Sequence, residues 1–170
     1  SPLLRNDGSF SLYVRCRDAN GNENVDEYSI SFCVNKGPDT TPPVIEDTSI
    51  VSGSPVQYNA EQVPIEVYVN EPAECRWSSQ SKAFEDMENT MRCASDVSQL
   101  NTALTYTCSG NLTGIKNREE SVFYFRCKDQ PGKDEKERNV MVQSYELKLK
   151  GSQQLTIDSV VPNGTIAAST

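Results

Sequence analysis

The sequence predicts an all-β protein of antiparallel, disulfide-stapled sandwich domains with one short helical insert. Three observations lead there. A strand-and-turn unit occurs twice, as Leu12-Tyr-Val-Arg-Cys-Arg-Asp-Ala-Asn-Gly21 and as Phe123-Tyr-Phe-Arg-Cys-Lys-Asp-Gln-Pro-Gly132. Superposing Cys16 on Cys127 also aligns Tyr13 with Tyr124, Arg15 with Arg126, Asp18 with Asp129 and Gly21 with Gly132. Several segments alternate apolar and polar residues, the period of a half-buried strand. Six cysteines, none in a C-x-x-C pair, have the spacing of structural disulfides and not of a zinc site.

Composition narrows the function classes. A hydrophobic fraction of 36% across 170 residues suits thin two-layer domains better than one large core. A formal charge of −8 argues against nucleic acid or anionic lipid as the main partner. No apolar run reaches the length of a membrane span. Histidine is absent, which removes the commonest general base and the commonest zinc ligand. The opening Ser1-Pro-Leu-Leu-Arg5 has no Met, basic n-region or apolar core, so any secretion signal is expected to lie upstream or to have been removed.

In chain order, residues 1–36 read as the C-terminal strands of an incomplete domain. Phe10, Leu12, Val14 and Cys16 share one face, Asp18 to Asn22 forms a turn, and Tyr28 to Val34 returns. A lone hairpin is marginal in water, so this one needs further strands or another subunit. Residues 37–43 form a Pro-rich linker. Residues 44–149 form the complete domain. Val44 to Val51 is its first strand, broken at Ser52-Gly-Ser-Pro55. Val63, Ile65, Val67 and Val69 then alternate without error, with Pro64 marking an edge or a strand's beginning. Ala73 to Ser78 is a short strand carrying Trp77, the only tryptophan. Phe84, Met87 and Met91 recur at helical spacing, which predicts one to three helical turns within 82–92. Leu104 to Cys108 is a strand, followed by a polar connection, the second copy of the motif, a charged turn over 133–138 and a closing strand over 140–149. Residues 150–170 restart the pattern, as the first strand of a further domain or as a donor strand.

Candidate sites follow from residue type. Cys75, Cys93, Cys108 and Cys127 permit three connectivities. Cys75–Cys127, on strands that are neighbours in such sandwiches, is favoured, with Cys93–Cys108 closing the helical insert onto the following strand, and Cys75–Cys93 with Cys108–Cys127 competes. Cys16 is expected to pair with Cys33 or with a cysteine outside this sequence. Asn111 and Asn163 head Asn-x-Thr sequons for glycosylation. Asp18, Asn20, Asn22 and Asn24 alternate as in a calcium loop, but no bidentate Glu follows, and an Asx turn explains them equally. Glu85, Asp86 and Glu88 read as a solvated face and not as facing acid-base carboxylates. An internal Lys–Asn isopeptide bond is not expected, because the first two strands carry no Lys. Trp77, two residues from a strand cysteine, reads as core packing before sugar binding. No metal, cofactor or catalytic residue is expected.

Asp39-Thr-Thr-Pro-Pro43 leading into a strand, with an Asp-x-x-Gly hairpin about 90 residues later, resembles the tandem immunoglobulin-like repeats of prokaryotic cell-surface proteins. The first copy, Asp18-Ala-Asn-Gly-Asn22, is similar to their Asp-x-x-Gly-Asn turn, whereas Asp129-Gln-Pro-Gly-Lys133 lacks the final Asn. The resemblance implies a fibronectin III-like or Ig-like sandwich in an extracellular string of domains, without catalysis. The antibody pattern departs from this chain: Cys75 and Trp77 share a strand, and Phe125 and Val14 stand where a tyrosine corner needs Tyr. The expected role is a non-catalytic structural or adhesive segment of a cell-surface fibre or filament, with strand exchange between subunits as one version. Its partners would be neighbouring copies or adjacent domains, or a cell-surface or glycan target. The alternative is a ligand- or glycan-binding receptor module that presents residues 79–96, with Phe84 and Met87 in contact with the ligand.

Overall fold

A computed structural model describes residues 8–34, 38–161 and 164. The chain divides into two compact units, Ser1–Asp39 and Thr40–Thr170.

The first unit is a hairpin of β1 (Gly8–Val14) and β2 (Tyr28–Val34). Their antiparallel register sets Phe10 opposite Phe32, Leu12 opposite Ile30 and Val14 opposite Tyr28. Period-2 alternation puts these residues on one face, and the Phe10 and Phe32 rings stack at 5.7 Å. Ser9, Ser11, Ser31 and Cys33 occupy the other face.

The second unit begins with β3 (Ile45–Thr48), β4 (Ser54–Val56), β5 (Gln62–Val69) and β6 (Ala73–Ser78). β7 (Asn89–Thr90), β8 (Arg92–Cys93), β9 (Tyr106–Thr113), β10 (Glu120–Asp129) and β11 (Tyr145–Gly151) follow. They form two sheets, ordered β4-β11-β10-β6-β7 and β3-β5-β9-β8. The unit is all-β. Alternation decides which side chains enter the core: Ile65, Val67, Val69 and Leu112 from one sheet meet Cys75, Trp77, Phe123, Phe125, Leu147 and Leu149 from the other. Trp77 meets Phe123 edge-on at 5.6 Å, so the tryptophan is core and not an exposed sugar platform.

Two features locate the ends of strands. Pro64 lies in the half of β5 paired only with β9, because β3 reaches no further than Val67, so its missing N–H is tolerated. Gly53, at φ +90°, turns the chain from β3 into β4, which crosses to the other sheet and pairs parallel with the end of β11. The first strand is therefore shorter than 44–51.

The helix expected within 82–92 is not there. One 3-10 turn, Phe84–Asp86, is followed by the two short strands β7 and β8. Phe84, Met87 and Met91 are all buried, but not along one helical stripe. The Phe84 ring lies under the Arg76 guanidinium at 4.6 Å, whereas Met91 joins the core between the sheets. Pairing with β6 and β9 offers this segment more than an isolated helical turn can. Burial also removes Phe84 and Met87 from any ligand surface. β9 extends through the stretch read as a polar connection, to Thr113.

Candidate functional site

The sulfur atoms are the chemically distinctive feature of the second unit. β6 and β10 set Cys75 opposite Cys127, and β8 and β9 set Cys93 opposite Cys108. Both opposed pairs are disulfide-bonded, with Cα–Cα distances of 4.1 and 3.9 Å. Each bridge thus ties neighbouring strands within one sheet, one bridge per sheet, and the alternative Cys75–Cys93 with Cys108–Cys127 does not form. Cys75 Sγ lies 3.4 Å from Cys108 Sγ, so the two bridges stack at the centre of the core. Loop-closure entropy gives about 4 kcal/mol for the longer closure and about 3 for the shorter. Bonded sulfurs offer no thiolate, so Cys75, Cys93 and Cys108 are no metal site although their sulfurs cluster.

Cys16 and Cys33 are exposed free thiols, so of the two partners expected for Cys16 the bond to Cys33 is not formed. The hairpin register is the reason. Cys33 faces Ser9 at the open end of the ladder, whereas Cys16 lies beyond Val14 at the turn end. Counting by alternation, Cys33 falls on the face of Ser9 and Cys16 on that of Val14.

The turn after each motif cysteine is built the same way in both units. In the first, Asp18 N donates to Asn22 O at 2.9 Å, Asn22 N donates to Asp18 Oδ1 at 2.8 Å, and Asn22 Nδ2 donates to Asp18 Oδ2 at 2.8 Å. In the second, Asp129 N donates to Asn139 O at 3.0 Å, and Asn139 returns both its backbone N–H and its Nδ2 to the Asp129 carboxylate. Gly21 and Gly132 adopt the same left-handed backbone, at φ +89° and +93°. One residue further along, Glu23 bridges Arg17 as Val140 bridges Lys128. Next, Asn24 N donates to Cys16 O as Met141 N donates to Cys127 O. The Asn read as lost from the second copy is therefore present as Asn139, displaced by the insert Lys133–Arg138. These hydrogen bonds hold the Asp18 carboxyl below its ordinary range, the Asn22 side-chain donor being the largest cause. Both Asp18 oxygens accept donors within the turn, from Asn20 N, Asn22 N and Asn22 Nδ2.

No family model, curated protein or solved structure matches this chain. Its chemistry rests on its own geometry.

The outer face of β6 and β10 carries a charged network that pattern reading missed. The Lys128 side chain is nearly buried, donates to Glu85 Oε1 at 2.8 Å and to Glu135, and sits 5.5 Å from the Phe84 ring. Arg76 pairs with Glu74 at 3.1 Å, and Arg138 joins Glu74 at 3.2 Å while donating to Asp129 O at 2.8 Å. Glu85 is held below the ordinary carboxylate range, first by the Lys128 hydrogen bond and then by the charges of Lys128, Arg76 and Arg138. Glu88 is held at about 2, chiefly by Lys82. Glu85 and Glu88 are thus spoken for by cations, an arrangement for holding a loop on a sheet. Alternation could have placed Lys128 on this face, but not the insert that covers it.

The other sheet has an open groove of about 720 Å³ on its outer side, lined by Glu46, Asp47, Glu66, Tyr68, Asn101 and Thr105 among others. Tyr68 Oη donates to Glu66 at 2.9 Å, which raises the phenol above its ordinary value. Asn111 lies exposed on β9, opposite Pro64. Asn163 falls outside the described residues. Among the described residues no helix is long and apolar enough to cross a membrane. Disulfides of this kind persist in oxidising surroundings, as in secreted proteins.

Proposed function

We propose that this chain is a stretch of a tandem array of immunoglobulin-like domains with a structural or adhesive, non-catalytic role at a cell surface. The observation that carries the reading is the second occurrence of one hairpin. β1–β2 and β10–β11 agree in the pair Val14–Tyr28 against Phe125–Tyr145, in the Asp–Asn clasp and in the left-handed Gly. The sheet orders support it. β3-β5-β9-β8 corresponds to strands A, B, E and D of such domains, and β11-β10-β6-β7 to G, F, C and C′. A buried tryptophan on the C strand fits as well. In place of one bridge between the sheets, this domain has one bridge within each.

The stretch Ser49-Ile-Val51 that follows β3 returns as Ser159-Val-Val161, giving a repeat of about 110 residues, near the usual domain length. Residues 153–160 join no sheet, with Leu155 and Ile157 largely exposed. They suit either the first strand of a following domain or a strand donated to a neighbouring copy. Electron microscopy of native material, with protein sequencing beyond both ends, tests the reading. Strings of similar beads are expected. Compact monomers whose sequence ended at Ser1 and Thr170 would overturn it.

A ligand- or glycan-binding module is the second reading, and the acid- and amide-lined groove around Tyr68 favours it. Saturable binding on a glycan array that is lost in Tyr68→Ala, with the fold retained, would establish it; an array without signal would discard it.

A further inference from the structure

We infer that Cys16 is one half of a cross-strand disulfide whose other half is a cysteine on a β6-like strand, N-terminal to the hairpin in the same polypeptide. The inference rests on the tandem reading and adds a specific bond to it.

The complete unit shows what covers such a hairpin. On β10–β11 the inward residues Phe123, Phe125, Cys127, Leu147 and Leu149 are fully buried. The matching residues of β1–β2 are Leu12, Val14, Cys16, Ile30 and Phe32. Leu12, Val14 and Ile30 are about two-fifths exposed, and Cys16 is exposed. The register and the turn are the same in both hairpins, so the bare face is an inner face without its cover and not a differently built surface. In the complete unit β6 pairs along β10 and sets Cys75 directly opposite Cys127. A strand laid on β1 in that register sets its own residue opposite Cys16.

The other five cysteines of this sequence offer Cys16 no such partner. Cys33 lies on the polar face beside Ser9, with its Sγ 3.4 Å from Ser9 Oγ. The other four cysteines of a second copy are already bonded. The segment 153–161, which joins no sheet, contains no cysteine, and its counterpart β3 belongs to the opposite sheet. In the complete unit every strand that covers the β10–β11 inner face precedes β10 in the chain. The same order places the partner of Cys16 before Gly8.

The bond forms by thiol–disulfide exchange. A thiolate of the pair attacks a disulfide-bearing oxidant and displaces one of its thiolates. The second thiolate then attacks the mixed disulfide, so two protons and two electrons leave the protein and the oxidant departs as two thiols.

The test is iodoacetamide alkylation of the native, unreduced polypeptide, followed by digestion and mass spectrometry without reduction. Expected are labelled Cys33, unlabelled Cys16, and a Cys16 peptide linked to a sequence outside these 170 residues, with no loss of chain mass on a denaturing gel after reduction. In a Cys16→Ser variant the partner cysteine gains the label. Labelled Cys16, a Cys16–Cys33 peptide, or a link to a second polypeptide that separates on reduction each overturns the bond. Amide hydrogen exchange on the same material separates the two claims. Protected β1–β2 amides with labelled Cys16 sink the bond but keep the tandem reading, whereas unprotected amides sink both.

Discussion

The hairpins β1–β2 and β10–β11 are one design in two environments. Their register, turn closure and left-handed Gly agree, although one face is bare and the other is fully buried. Everything they share is local: a ladder between consecutive strands and an Asp whose carboxylate collects donors from the returning chain. The insert Lys133–Arg138 apart, what differs is supplied by distant chain, namely β6 with Cys75 and the facing sheet with Ile65, Val67 and Leu112. Shape in these two hairpins is local, and stability comes from cover.

The largest expected effect breaks the covered copy alone. Reducing the 170-residue chain removes two closures worth about 3 and about 4 kcal/mol, together comparable to the net stability of a small domain. Urea unfolding monitored by Trp77 fluorescence should show the second unit stable without reductant and largely unfolded with it. Alkylating Cys16 and Cys33 in the unreduced chain should leave that transition unmoved. An unchanged midpoint under reduction would mean that the stacked bridges are not what holds the two sheets.

Paired truncations come next. Phe125→Ala empties a fully buried site and should cost about 3–5 kcal/mol. Val14→Ala, at the matching position on the bare hairpin, should stay within about 0.5 kcal/mol in the same chain. Equal costs, read from urea midpoints at constant slope, would show that the first hairpin is already covered. A third substitution probes the end of the ladder. A Cβ on Gly151 would sit 1.9 Å from Lys116 O, so Gly151→Ala must push back the 116–118 turn, where Arg118 already has φ +61°. The expected cost is about 1–3 kcal/mol in the same unfolding experiment.

The sequence was most legible where structure is local or strictly periodic. Val63 to Val69 alternate through the core strand β5, and the Cys-x-Asp-x-x-Gly units mark both hairpins. Legibility failed where an insert separates partners. Asn139 could not be matched to Asn22 while Lys133–Arg138 stood between it and Asp129. Phe84, Met87 and Met91 keep helical spacing by coincidence, because the first packs outward against Arg76 and the last inward between the sheets. The charged network of Lys128 was equally hidden, since its carboxylate partners come from the two loops that follow β6 and β10.

The smallest effect concerns the exposed turn itself. Asn22 and Asn20 donors favour the ionised Asp18 carboxylate, so its pKa in the folded turn lies below the usual 3.8. For a group with a depressed folded value, the stabilisation is complete above the unfolded pKa and is lost as pH falls through the folded one. The turn should therefore hold through neutral pH and loosen only in acid. An NMR titration of the Asp18 carboxyl carbon should give a midpoint below 3.8, with the Asn20 and Asn22 amide resonances following the same curve. A midpoint at or above 3.8 would show that the clasp does not form on the bare hairpin and needs the cover that the second copy has. The comparison would then reverse: cover would shape the turn, and local sequence would merely permit it.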